Sequence, residues 1–293
     1  MPVTDPMATD GTGTGTGWSV RDGLATLDEP TVLLMGALDA VFTRWATADG
    51  ARQQSYPPLL RAEDLRTLDY FQNFPHLGNP VTRIRPDRLA DRAAAQPEAT
   101  TLPAVDLADA THLLPSAACY GCFLHLSGTS TDSPLLITTV AQCFRNEDHH
   151  DGLRRLWAFT MREIVCVGSA DAVRAHLDRH HERIATFGSA LGLTLDRQPA
   201  TDPFFEKDSS RTLMQMLAPV KDEYLYVDAT AVASTNNHRN FFGERRGISH
   251  AGRPAFTGCV AFGLERWVHA LGDLFEGDLA AANRAVRRWG ERS

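Results

Sequence analysis

From Cys143 to Glu163 the chain reads CFRNEDHHDGLRRLWAFTMRE, and no other stretch constrains the fold as strongly. An apolar run from Leu135 to Phe144 feeds straight into Arg145-Asn146-Glu147. A polar stretch follows with Asp148, His149, His150, Asp151 and Gly152, and Leu156 to Met161 then resumes apolar character before Arg162-Glu163. Two such runs joined by a polar loop predict an antiparallel hairpin. Alternate strand residues share a face, so Arg145 and Glu147 point one way, and Phe159, Met161 and Glu163 point together. One sheet face thus carries an arginine, two carboxylates and an aromatic ring. Such a set suits a nucleotide: arginine for phosphate, carboxylate for the adenine amino group, ring for stacking. Taken alone, the stretch fits a surface hairpin with solvated charges equally well.

The flanking segments predict helices on either side. Leu27 to Ala48 carries Asp28 as a cap and Pro30 in the first turn. Leu33, Leu34, Ala37, Leu38, Val41, Phe42 and Trp45 fall on one broad apolar stripe. Asp49-Gly50 stops that helix, and Arg52 to Pro58 predicts a short strand ending in a proline pair. Residues 86 to 110, rich in Asp, Arg, Ala and Pro, read as an exposed linker or short helix. Ser169 to Leu191 predicts a second long helix, with Val173, Leu177, Ile184, Phe187 and Leu191 at helical spacing and Gly192 ending it. His180 and His181 lie within it, but adjacent helical residues diverge, so the pair is not expected to hold a metal. Tyr224 to Val232 predicts one strand, and Ser234 to Gly243 a polar loop or strand end. Residues 1 to 17 contain alternating Gly and Thr, cannot bury apolar surface and are expected to be disordered. That leaves residues 18–293 as one domain.

Composition narrows the function classes. The 293 residues are 43% hydrophobic, enough for a large core. Lys plus Arg is 29 against 36 for Asp plus Glu, a net charge of -7, which weighs against tRNA or other nucleic-acid partners. No apolar run is long enough to span a membrane, and no basic-then-apolar leader opens the chain. Five cysteines without regular spacing argue for a reducing compartment, hence a cytoplasmic protein. Cys119-Tyr-Gly-Cys122 is a CxxC, half of a structural zinc site, but no second pair exists to complete four cysteines. A redox role would need that pair to open a helix after a strand, and Phe123 to Leu126 does not clearly read as one.

Near the C-terminus, Thr257-Gly-Cys-Val-Ala-Phe-Gly-Leu-Glu-Arg266-Trp267 predicts a strand, a glycine break and a helix start. The Phe144-Arg145-Asn146-Glu147 run followed later by Gly263-Leu264-Glu265-Arg266 resembles motifs 2 and 3 of class II aminoacyl-tRNA synthetases. The helix and strand ahead of Pro57-Pro58 resemble motif 1. Within that superfamily the chain is similar to the seryl-tRNA synthetase-like branch and most resembles the truncated amino acid–carrier-protein ligases. The resemblance covers roughly residues 25 to 290. It implies an α+β fold, one antiparallel sheet flanked by helices, and a homodimer through the Leu27–Ala48 helix.

The same resemblance implies a site. Relatives hold an active-site zinc with Cys, Glu and Cys, matched here by Cys119, Glu163 and Cys259. Gly121 stands where the family has proline, which puts the local turn in doubt, and Cys122 is the alternative ligand to Cys119. For ATP with Mg²⁺, Arg145 is implied at the α-phosphate and carboxylate, Glu147 at the adenine amino group and Phe159 on the ring. Arg155, with Leu156 beside it, matches a loop arginine near the outer phosphates; Arg154 remains the alternative. Lys221, Ser234 and Arg266 complete the set, with Arg145 and Arg266 catalytic. Glu163 is also implied in holding the substrate. The implied reaction makes an aminoacyl-adenylate from a small amino acid such as glycine or alanine and passes it to a phosphopantetheine thiol on a carrier protein. The motif 1 helix begins too near the N-terminus for the long tRNA-binding coiled coil of seryl-tRNA synthetases. An aminoacyl-tRNA synthetase, other adenylate chemistry, and a non-catalytic regulatory paralogue are the alternatives; retention of Arg145 and Arg266 argues against the last.

Overall fold

The computed structural model describes residues 17–94, 100–206 and 220–291. The disordered start expected over residues 1 to 17 lies outside the described residues except for Gly17. Seven strands make the main sheet: β1 (Arg52–Gln53), β2 (Leu135–Phe144), β3 (Ala158–Gly168), β4 (Asp196–Ala200), β5 (Lys221–Leu225), β6 (Ala231–Arg239) and β7 (Phe256–Gly263). Their order across the sheet is β4-β5-β6-β7-β3-β2-β1. Every pairing is antiparallel except the short β1, which lies parallel to β2. The expected hairpin is β2–β3, in register from Leu135 opposite Val167 to Phe144 opposite Ala158.

Six helices position the site: α1 (Glu29–Ala48), α2 (Cys119–His125), α3 (Ala170–Leu191), α4 (Phe241–Arg246), α5 (Leu264–Leu274) and α6 (Leu279–Gly290). Asp28 caps α1, accepting the Thr31 N–H at 3.4 Å. Ser169 caps α3 in the same way, and Gly192, at φ 87°, ends it in the left-handed conformation glycine adopts freely. α1, α3, α5 and α6 cover one face of the sheet, and their apolar stripes build the main core with it. Phe42 stacks on Phe262 at 3.9 Å between ring centres, with Trp45, Phe187 and Trp267 around the pair. Leu33 departs from the expected stripe: it is 45% exposed, beside Val32 at 53%, because the buried arc runs through Leu34, Leu38, Val41 and Trp45.

Two further expectations are corrected. Tyr224 to Val232 is not one strand: the chain turns back between β5 and β6, and of the two readings of the segment after Ser234 the strand end is the one found, with β6 running on to Arg239. Asp228 accepts the Thr230 N–H at 3.0 Å and Ala229 takes a positive φ of 64°, which together close the turn. The CxxC does open a helix, α2, two turns long. Gly121 makes that helix possible, since a Cβ there would come within 2.6 Å of Tyr56.

Arg162 and Asp39 tie α1 to the hairpin through two hydrogen bonds of 2.6 and 2.8 Å. Deeper in this layer, ring nitrogens of His176 and His180 lie within 4.8 Å of the Asp49 carboxylate and of each other. The sequence reading singled out His180 without this partner. Asp49 already takes Arg183 at 2.7 and 2.9 Å and Arg179 at 3.1 Å. Two guanidiniums on one carboxylate leave the cluster positive, which disfavours a cation. Burial keeps both imidazoles neutral, pushing them down to about 4 for His176 and about 2 for His180.

An unfolded histidine titrates at about 6.5, so as pH falls below that value the unfolded chain takes up protons first. Stability that is full above that pH is therefore lost on the way down to the folded values, by up to about 1.4 kcal/mol per pH unit for each ring. Urea unfolding at neutral and mildly acidic pH should show this loss, and His180→Phe should flatten it. An unchanged slope in that variant would mean that the ring is solvated in the native state.

Candidate active site

Strand register decides which side chains share the face not covered by the long helices. Directly opposed residues of an antiparallel pair lie on the same face. Glu163 stands opposite Ala261 and Val165 opposite Cys259. Ser234 stands opposite Ala261 and Asn236 opposite Cys259, while Lys221 faces Asn236 one strand further out. Cys143 is paired with Phe159. The pleat therefore sends Phe159, Met161, Glu163, Cys259, Ser234 and Lys221 to one side. It sends Arg162, Ile164, Val260 and Phe262 to the helical core.

α2 brings Cys119 over this face. Ligand atoms of Cys119, Glu163 and Cys259 all lie within 4.8 Å of one another, and all three residues are buried. Glu163 Oε1 accepts the backbone N–H of Ala118 at 2.8 Å and of Cys119 at 3.2 Å. No N–H or O–H donor reaches its buried Oε2 among the described residues. The Cys119 thiol is raised well above its usual range by its hydrogen bond with Cys259, by burial and by Glu163. Cys259 is pulled down by the Cys119 contact, but burial and Glu163 outweigh this and leave it raised. Two buried thiols and a carboxylate with one orphaned oxygen are a donor set that suits a zinc ion, with a fourth position left for a ligand. Cys122 lies outside this cluster. Its thiol is fully buried beside Tyr56 and pushed up to about 12, chiefly by burial.

The other predicted residues gather beside the cluster. Arg145 extends the hairpin by one pairing, its N–H donating to Trp157 O at 3.0 Å, and its side chain donates to Ser116 O at 3.1 Å. Its guanidinium lies 5.1 Å from the centre of the Phe159 ring. Glu147, in the loop beyond the strand end, is paired with Arg155 at 2.9 Å. Arg154 pairs instead with Asp151 and Asp228, at 2.7 and 3.3 Å. Lys221 is held by Glu223 at 2.8 Å. Arg266 is half-buried at the start of α5 and donates to Arg154 O at 2.8 Å and Ala231 O at 3.1 Å. Burial and the nearby Arg145 both press its guanidinium below the usual range. Two half-buried guanidiniums lining one cavity favour an anion between them.

Two cavities adjoin here. One, of about 490 Å³, is lined by Cys119, Glu163 and Cys259. The smaller, of about 70 Å³, is lined by Glu147, Leu156, Phe159 and Arg266. Arg145, Lys221 and Ser234 line both. Arg155 lines neither, whereas Arg154 lines the smaller.

Three residues were missed in the sequence reading. Asn236 and His238 approach the Cys259 sulfur, each at 3.6 Å. Only the β6–β7 register could have found them, since reading the segment after Ser234 as a loop or strand end sets no cross-strand pairing. Glu265 accepts the Thr160 N–H with both oxygens at 2.8 Å, which clamps the start of α5 onto the hairpin and so positions Arg266. Burial raises its carboxyl above the usual range.

No protein-family model matches the chain. Over 251 residues it is 32% identical to "Amino acid--[acyl-carrier-protein] ligase 1" of Bradyrhizobium diazoefficiens, covering 81% of this chain and 76% of that protein. It is 33% identical over 251 residues to "Amino acid--[acyl-carrier-protein] ligase 2" of the same bacterium, covering 79% of this chain and 72% of the relative. Among solved structures it superimposes on the M. kandleri SerRS in complex with A. aeolicus tRNASec with a TM-score of 0.74 at 20% identity, over 86% of this chain and 53% of that one. The cytoplasmic serine-tRNA ligase of Naegleria fowleri in complex with AMP gives a TM-score of 0.63 at 12% identity, over 85% and 56% of the two chains. The chain spans about half the length of these solved structures, and at such identities the likeness is one of fold, the class II synthetase sheet. With curated relatives above 30% identity over most of their length, this chain belongs to the amino acid–acyl-carrier-protein ligase family.

Proposed function

We propose that this protein is a ligase that activates an amino acid with ATP and transfers the aminoacyl group to the phosphopantetheine thiol of a carrier protein. The observation that best supports this is the pair of adjoining cavities sharing Arg145, Lys221 and Ser234. Residues suited to an amino acid line one cavity, and residues suited to a nucleotide line the other.

In the first step a carboxylate oxygen of the amino acid attacks the α-phosphorus of ATP, and the bond to pyrophosphate breaks. Negative charge builds on the phosphate oxygens, where fixed cations lower the barrier. Arg145, at the junction of the cavities, bridges carboxylate and α-phosphate. Arg266 meets the phosphates from the α5 side, held by the Arg154 and Ala231 carbonyls. Glu147 takes the adenine amino group, with Leu156 beside it. Phosphate binding draws Arg145 off the Phe159 ring, which leaves that face to the base. Lys221 and Ser234 flank the reacting centre. Arg155 is released from Glu147 to reach the outer phosphates, or Arg154 serves instead, and Mg²⁺ accompanies ATP.

Cys119, Glu163 and Cys259 would hold a zinc ion, which when bound supplies a position for the neutral amine of the substrate. Glu163 also fixes the α2 start through the Ala118 and Cys119 N–H groups, so the ligand geometry is set before substrate arrives. In the second step the carrier thiol attacks the acyl carbon, a C–S bond forms and AMP leaves. A small amino acid such as glycine or alanine leaves cavity volume for the pantetheine arm. We take the working form as a cytoplasmic homodimer through α1, where the exposed Val32 and Leu33 add apolar contact, and the five free cysteines suit a reducing compartment. Among the described residues no helix is long and apolar enough to cross a membrane.

Arg145→Ala and Arg266→Ala should each lower amino-acid-dependent pyrophosphate exchange about 100- to 1000-fold with the fold intact. Near-normal exchange in either would remove that residue from the proposed mechanism. Cys119→Ser and Cys259→Ser should lose both zinc, read by metal analysis, and activation, while Cys122→Ser keeps both. Loss of zinc in the Cys122 variant with retention in the Cys119 variant would move the ligand by three residues.

A further inference from the structure

His238 is the extra residue of a bulge in β6. Asn237 stands opposite Gly258 and Arg239 opposite Thr257, so His238 has no cross-strand partner of its own. Arg239 takes a positive φ of 54° to close the bulge. Bulges cluster beside active sites because they re-aim a side chain. Here the ring is aimed across β7. His238 Nδ1 lies 3.2 Å from Thr257 Oγ1, and Nε2 lies 3.6 Å from Cys259 Sγ. Thr257 is fully buried, and His238 also lines the larger cavity. Asn236 donates one amide N–H to Ser234 Oγ at 3.2 Å and directs the other at Cys259 Sγ at 3.6 Å.

As a metal-bound thiolate Cys259 can only accept, and a neutral ring then meets both contacts in one way. A neutral imidazole carries a single N–H. With the Thr257 hydroxyl donating to Nδ1, the ring proton sits on Nε2 and points at the sulfur. Cys259 then receives two N–H groups, from Asn236 and from His238. Metal-bound thiolates and imidazoles are held and tuned by such outer hydrogen bonds. We infer that His238 is a positioning residue: through Thr257 O–H, Nδ1 and Nε2–H it holds the Cys259 sulfur in the geometry that binds the metal. This rests on the three-ligand zinc reading above and adds a residue to it. His238 does not itself ligate the ion, and its nearest metal-facing contact is the sulfur.

The test is zinc affinity, measured on the full chain by competition with a chromophoric chelator. His238→Phe keeps a flat ring but has no N–H, and should weaken zinc binding about 10- to 100-fold. His238→Gln places an amide N–H close to where Nε2 stood and should restore most of that loss. Thermal unfolding of the zinc-free proteins should coincide with the native chain, which excludes misfolding as the cause. Unchanged affinity in His238→Phe, alongside loss of zinc in Cys259→Ser, would overturn the role of His238 alone. Equal losses in the Phe and Gln variants would overturn it too, since packing rather than the N–H would then be responsible. Native-like zinc binding by Cys259→Ser would overturn the three-ligand reading first, and this inference with it.

Discussion

Glu163 carries a carboxylate into the centre of the sheet, where two backbone N–H groups meet one oxygen and, among the described residues, no N–H or O–H donor meets the other. A buried carboxylate oxygen without a donor is costly, and a metal ion can relieve it. Burial and the Glu163 carboxylate raise the two thiols beside it. The rest of the architecture serves this one demand. The pleat puts Glu163 and Cys259 on a common face, α2 delivers Cys119 from above, and the helical layer behind supplies the rigidity. Arg162, next in sequence to Glu163, points the other way and locks the strand to α1 through Asp39.

A second demand comes from cations. Arg145 and Arg266 enter the same small cavity from different strands and helices, and each is held by carbonyl oxygens rather than by a carboxylate of its own. Holding two guanidiniums by neutral acceptors keeps their charge available for an anion. Arg154, Arg155 and Lys221, by contrast, are each paired with a carboxylate in this state. That division separates guanidiniums whose charge is open to an anion from cations that must first leave a carboxylate.

Much of this was legible in the sequence because the signals are local. Asp28 and Ser169 announce their helices through caps, Gly192 ends one by its left-handed turn, and the β2–β3 hairpin follows from two apolar runs around a polar loop. The errors arose where a local signal was weak or tertiary contacts decided. The β5–β6 turn depends on an Asp228 side chain and a strained Ala229, which a run of strand-forming residues hides. The helix at Cys119 depends on Tyr56 lying against Gly121, a contact from another part of the chain. Leu33 matches the apolar stripe in type but lies outside its buried arc. His176 with Asp49, Glu265 with Thr160 and His238 with Cys259 join residues far apart in sequence, and no spacing rule encodes them.

The central claim is that activation at this site ends on a carrier thiol. It is tested most directly by offering one labelled amino acid, with ATP, to three acceptors: a carrier protein bearing phosphopantetheine, the same carrier without it, and bulk tRNA. The account predicts label on the first alone, in a bond that hydroxylamine cleaves readily, as a thioester requires. Label on tRNA with none on the phosphopantetheinylated carrier would contradict it.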